Sequence, residues 1–209
     1  MLILGVVVAL VLSSRGAGVH AAPPPTVTAV GVGTSSAHPQ RSEASSASAV
    51  RRVAGAEASK AALEGQVFVT YRGKQLTAQV PSGWRMLEDE AQKVGYIESK
   101  WLNPAHPSDT VLIDASAATG LSLEQDAAPV HRELQRSAGY EELQYGAGDL
   151  AGVASWMWIF RVSGDQRVDY FFNRCALGFG VLGSTVPSRF DRLRATFRAV
   201  AESVNSRCD

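Results

Sequence analysis

Chemistry in a chain of this kind would begin at histidines, cysteines, glycine-rich turns or clustered rings. GFGVLG at 178–183 matches the GxGxxG pattern. A dinucleotide loop of that pattern opens directly into a helix whose first amides face pyrophosphate. Here Ser184, Thr185, Val186 and Pro187 intervene, and no further strand follows to complete the unit. The segment reads as a strand whose glycines admit close packing or a bulge, and no cofactor is expected. The histidines are His20, His38, His106 and His131. None falls in HExxH or comparable spacing, so no metal site is expected. Neither a GxSxG elbow nor an SxxK motif occurs, and no catalytic set is expected.

Aromatic rings offer the other chemistry. Trp156, Trp158 and Phe160 share one face of a strand, because side chains alternate. Tyr170 and Phe172 are expected beside them across a hairpin. With Trp84, the residues Trp156, Trp158 and Tyr170 make a candidate surface for a sugar, a lipid or a protein. The competing reading places these rings in the core beneath a helix.

The two cysteines support a covalent inference. Cys175 shares strand parity with Leu177, Phe179 and Val181, and Cys208 lies four residues past Val204. A helix from Ser188 to Cys208 travels about 30 Å. A strand from Leu182 back to Cys175 covers roughly 23 Å, so a helix folded over its preceding strand brings the sulfurs together. The expectation is a Cys175–Cys208 disulfide in an oxidising compartment, stabilising by about 3–4 kcal/mol on the chain-entropy model.

Several elements must position these residues. Val67, Val69 and Tyr71, then Leu76, Ala78 and Val80, alternate about Arg72-Gly73-Lys74 and predict a hairpin. Pro81-Ser82-Gly83 ends it, and Trp84 is expected at the core edge. Strands are predicted at 94–101 and 110–115, with a loop between them. Ser122 and Gln125 form a capping box that opens a helix carrying Leu123, Ala127, Val130 and Leu134. Further strands are predicted at 140–146, 152–162 and 167–182, the last two joined at residues 163–166. Behind Pro187, the residues Phe190, Leu193, Phe197, Val200 and Val204 form one apolar helical stripe. Its other face carries Arg189, Arg192, Arg194, Arg198 and Glu202, a pattern usual for a solvated face. These elements predict an α+β domain: a mainly antiparallel sheet of six or seven strands flanked by helices.

The first residues, MLILGVVVALVLSS, form an apolar run too short to span a bilayer, which takes about 20 residues. They read as a secretory signal over residues 1–21, cleaved after Val19-His20-Ala21. Residues 22–62, rich in Ala, Ser and Pro, read as a disordered spacer, and residues 63–209 as a single domain. Lys+Arg and Asp+Glu balance at 20 each, without blocks of like charge. A nucleic-acid partner is not expected on that balance, nor a membrane span once the signal is removed.

This order of elements, with Val80-Pro81-Ser82-Gly83-Trp84 closing the first hairpin and Phe190 and Phe197 on the last helix, resembles the Mog/PsbP-like domain. That family is an α-β-α sandwich found in photosystem extrinsic subunits, a Ran-binding nuclear factor and many secreted actinobacterial proteins. The chain lacks the cysteine that anchors the family's lipoproteins. The resemblance implies action by binding other proteins, without catalysis. The reading is therefore a secreted or envelope-associated binding and assembly module with a protein partner. The second reading is a small-ligand carrier or hydrolase using a cleft near Trp156 and Trp158.

Overall fold

The computed structural model describes residues 65–206. The predicted leader, the spacer and Cys208 lie outside them. Strands β1 (Phe68–Arg72) and β2 (Leu76–Pro81) form the expected hairpin, with Tyr71 opposite Ala78. β10 (Asn205–Ser206) pairs along the other side of β2 to complete a small three-stranded sheet. The large sheet has seven antiparallel strands in the order β3-β4-β5-β9-β8-β7-β6. These are β3 (Arg85–Gln92), β4 (Ile97–Leu102), β5 (Thr110–Ala117), β6 (Glu141–Leu150), β7 (Val153–Val162), β8 (Asp165–Arg174) and β9 (Leu177–Thr185).

Helix α1 (Leu123–Leu134) lies on one face of that sheet. Ser122 caps it as the sequence predicts: Gln125 N–H donates to Ser122 Oγ at 3.2 Å, and Ser122 N–H donates to Gln125 Oε1 at 3.1 Å. Ala127, Val130 and Leu134 pack on Trp158, Phe160, Val162 and Phe171. Helix α2 (Pro187–Ser203) lies on the opposite face, between the large sheet and the small one. Phe190, Leu193, Phe197 and Val200 are buried there against Ile113, Val168, Phe172 and Val181. The glycines of β9 serve this packing. A methyl group at Gly183 would fall inside the Phe197 ring, and one at Gly180 would stand 2.7 Å from Asp114 Oδ2. GFGVLG is thus a strand that both a ring and a carboxylate cross closely.

Three expectations are corrected. The predicted strand 167–182 is two strands, β8 and β9, joined by a turn at Cys175 and Ala176, where Cys175 has φ of 55°. Cys175 therefore sits in a turn and has no strand parity with Phe179. Helix α2 ends at Ser203 and the chain passes into β10, so the predicted helix does not run on through residues 204–206. Third, β3 was not anticipated. Its sequence RMLEDEAQ is charged and lacks alternation, because β3 is a sheet edge with two irregularities in its pairing to β4. It is tied to the small sheet through Glu90. That carboxylate accepts from the backbone N–H groups of Lys74 at 2.9 Å, Gln75 at 2.8 Å and Leu76 at 3.1 Å.

Candidate functional site

The aromatic candidates separate. Antiparallel partners point to the same face. Tyr170 stands opposite Met157, and Phe172 opposite Ser155, whereas Phe171 stands opposite Trp156. Tyr170 and Phe172 thus belong to the α2 face and Trp156, Trp158 and Phe160 to the α1 face, which corrects the expected single platform. The physical reason is one residue of register, which sends every side chain to the other face. Trp158 is fully buried and Tyr170 is 2% exposed, while Trp156 is half-buried.

His131 closes the α1 face. Its ring stacks on Tyr145 at 3.9 Å and meets Trp158 edge-on at 5.0 Å. Its Nε2 lies 2.5 Å from Glu142 Oε2. The same oxygen accepts from Tyr140 at 2.9 Å, and Trp158 Nε1 donates to the Tyr140 hydroxyl at 3.3 Å. Burial, with the Glu142 bond second, pushes the Tyr140 phenol up to about 12. These groups are engaged with one another as a lid over buried rings.

Beside α1 lies a cleft of about 40 Å³ lined by Asp114, Asp126, Val130, Phe171 and Gly180. That is room for a few waters and far below the roughly 300 Å³ at which small-molecule pockets begin. Asp114 and Asp169 reach the same sheet face across β9, since Asp114 pairs with Gly180 and Asp169 with Leu182. Burial, then the Asp169 charge and Glu98, raise the Asp114 carboxyl well above its ordinary range. Burial raises Asp169 to about 7, partly offset by the Tyr170 N–H and Arg167, and its Oδ1 has no hydrogen-bond partner. Among the described residues no group of three or more His, Cys, Asp or Glu is placed to hold a metal ion.

Trp84 leads elsewhere. It is half-buried, packs on the main core, and borders a groove of about 290 Å³. One wall is α2, through Arg189, Arg192 and Thr196, whose spacing puts them on one helical face. The other wall is the β4–β5 loop, through Asn103 and His106. Asp109 at the end of that loop is fully buried. Arg189 grips it with two bonds, Nε to Oδ1 at 3.2 Å and Nη2 to Oδ2 at 2.7 Å. Thr185 Oγ1 donates at 2.7 Å and Asn103 Nδ2 at 3.1 Å. Burial alone would raise the Asp109 carboxyl, but Arg189, Thr185 and Asn103 outweigh it and hold it below its ordinary value. Arg189 is thus a structural clamp, not a member of a solvated stripe. Arg192, one turn on, is exposed, and among the described residues it has no carboxylate partner. Sequence reasoning found Trp84 but not this groove. The loop and the helix are 80 residues apart, and only Asn103 and Asp109 at the loop ends hinted at an anchored turn.

No family model matches the chain, and no curated protein sequence matches it. Solved structures do. The solution structure of cyanobacterial PsbP (CyanoP) from Synechocystis sp. PCC 6803 superposes with a TM-score of 0.53 at 16% identity, over 66% of this chain and 92% of that one. LpqN of Mycobacterium tuberculosis, described as involved in cell envelope biogenesis, matches at 14% identity and a TM-score of 0.44, over 68% and 91%. A Pseudomonas aeruginosa protein described as a putative regulator, PA94, matches at 15% identity and 0.41, over 65% and 94%. The chain has the PsbP-like fold. No helix among the described residues is long and apolar enough to cross a membrane.

Proposed function

We propose that the chain is an extracytoplasmic, non-enzymatic binding and assembly module that acts through contact with another protein. The observation that carries this reading is the contrast between its two aromatic regions. The rings of the α1 face are covered by a helix, whereas Trp84 borders an open polar groove with an uncompensated arginine. Arginine and tryptophan are the side chains most enriched where protein contacts concentrate their binding energy. The apolar leader and the Ala/Ser/Pro-rich segment after it support export and presentation on a tether. The small-ligand or hydrolase reading loses support, because Trp158 is buried and the cleft beside α1, lined by neither Trp156 nor Trp158, is too small for a ligand.

The expected Cys175–Cys208 disulfide belongs to the same reading, by a different approach from the one the sequence suggested. Arg174 donates to the backbone carbonyls of Glu202 at 3.0 Å and of Val204, so the turn at Cys175 lies against the chain leading to Cys208. Mass spectrometry of unreduced protein is expected to find one intramolecular bridge; two free thiols end the assignment.

The functional test is affinity capture from the envelope fraction of the source organism. The full chain and a Trp84→Ala, Arg192→Glu double variant are compared by quantitative proteomics. One or more proteins are expected to be enriched with the wild type and depleted at least fivefold with the variant. Fractionation of the native protein with the cytoplasm, or equal recoveries in both arms, overturns the proposal.

A further inference from the structure

Three features compete for a further role: the buried carboxylates Asp114 and Asp169, the His131–Glu142 pair, and the Trp84 groove. Asp114 lines a cleft too small for a ligand, Asp169 does not line it, and the histidine is occupied by its own neighbours. The groove remains. We infer that it is a carboxylate-recognition site, taking an acidic side chain with an apolar neighbour from a partner polypeptide. This rests on the binding-module reading and names the partner's chemistry.

Charge decides the kind of anion. Two guanidinium groups line the groove, but Arg189 is already neutralised by Asp109 in a two-bond grip. Among the described residues one permanent positive charge remains in the groove, that of Arg192. A carboxylate balances it, whereas a phosphate dianion would be left half compensated. The guanidinium fork matches the planar two-oxygen geometry of a carboxylate, which a point cation would not. The Arg189–Asp109 clamp also fixes the wall: it joins the first turn of α2 to the loop holding Asn103 and His106. The groove therefore needs little reorganisation on binding.

Size and lining decide what carries the carboxylate. About 290 Å³ falls at the lower edge of small-molecule pockets and suits one side chain with part of its neighbour. Leu193, 7% exposed, and the Trp84 indole supply apolar surface beside the polar wall. An ion pair open to solvent contributes little by itself. A free carboxylic acid would gain little from that contact. A polypeptide spreads the contact over the groove and its rim, where the indole contributes ring area and a donor.

The full chain would be titrated with an acetylated hexapeptide containing Leu-Asp, with the matched Leu-Asn peptide, and with inorganic phosphate. The Trp84 indole N–H signal in a nitrogen-correlated NMR spectrum, assigned with Trp84→Phe, is the readout. The Asp peptide is expected to shift it saturably and to bind at least fivefold more tightly than the Asn peptide. Arg192→Glu should weaken the Asp peptide at least tenfold and Arg192→Lys should fall between, with unchanged melting temperatures in both. Equal binding of the two peptides, no shift at millimolar peptide, or an unaffected Arg192→Glu overturns the inference. So does phosphate saturating the same signal at the same or lower concentration. Arg192→Glu alone also separates the two proposals. If it keeps the captured envelope partner while the peptide effects are absent, the recognition chemistry falls and the module stands.

Discussion

The two faces of the seven-stranded sheet are built differently. Under α2 the packing is mainly apolar, with Ile113, Val168, Phe172, Val181 and Phe197 all nearly inaccessible, and its buried charge is the Asp109–Arg189 pair at the helix start. Under α1 the rings of Trp158 and Phe160 share the face with Asp114, Asp169, Arg167 and the His131–Glu142 pair. Apolar packing depends on shape alone, so the stability of the α2 face should change with pH only in acid, where Asp109, held below its ordinary value, takes up its proton. A face that buries carboxylates carries titrating groups into its energetics. The contrast separates where the fold gets its cohesion from where it becomes sensitive to conditions.

The largest expected effect is on the apolar face. Phe197→Ala removes a fully buried ring that crosses Gly183, and should cost about 3–5 kcal/mol in denaturant unfolding. Gly183→Ala should also destabilise, by about 1–3 kcal/mol, because the ring has no room to yield. A loss below 1 kcal/mol in both would show that α2 is not seated as described.

The next effect lies on the mixed face and has the opposite sign. Asp169 has its carboxyl raised to about 7 in the folded chain, against about 3.9 unfolded. Between those values the folded state holds the proton that the unfolded state has released. The Asp169 contribution should therefore fall as pH rises from about 4 to about 7 and then level off, and Asp114, raised on the same face, adds a further loss with rising pH. Three pH units correspond to at most about 4 kcal/mol. Asp169→Asn keeps the shape without the charge. It should raise the melting temperature at pH 8, leave it nearly unchanged at pH 4, and flatten the profile. A variant less stable than wild type at pH 8 would show that the ionised carboxylate is paired. The smallest effect is at the start of α1. Ser122→Ala removes the acceptor for Gln125 N–H and should cost about 1 kcal/mol, equally at pH 5 and pH 8.

Legibility in the sequence followed the range of the interactions. The α1 cap needs only Ser122 and Gln125, three residues apart, and could be read directly. The α2 stripe repeats within one segment: Phe190, Leu193, Phe197 and Val200 are buried as the spacing selects, while Ala195, Thr196 and Ala201 are buried besides and Val204 falls just past the helix end. The first hairpin was legible from alternation about Gly73. The turn at Cys175 was not, because a cysteine in the left-handed region carries no turn signature of its own. β3 was hidden because an edge strand buries too little to impose a pattern. Trp84 was picked out by its place after a Pro-Ser-Gly corner, but its groove depends on residues from two distant segments.

The sequence by itself determined the elements whose signals are local: two amphipathic helices, most of the strands, and a PsbP-like order among them. Periodicity and caps act over a few residues, and the chain carries them openly. Tertiary structure alone decided which face each aromatic ring joined, that Asp114 and Asp169 would share one sheet face across β9, and that Arg189 would be neutralised while Arg192 found no carboxylate among the described residues. Those outcomes depend on strand register and on contacts between segments up to 80 residues apart, where a shift of one position exchanges inside for outside.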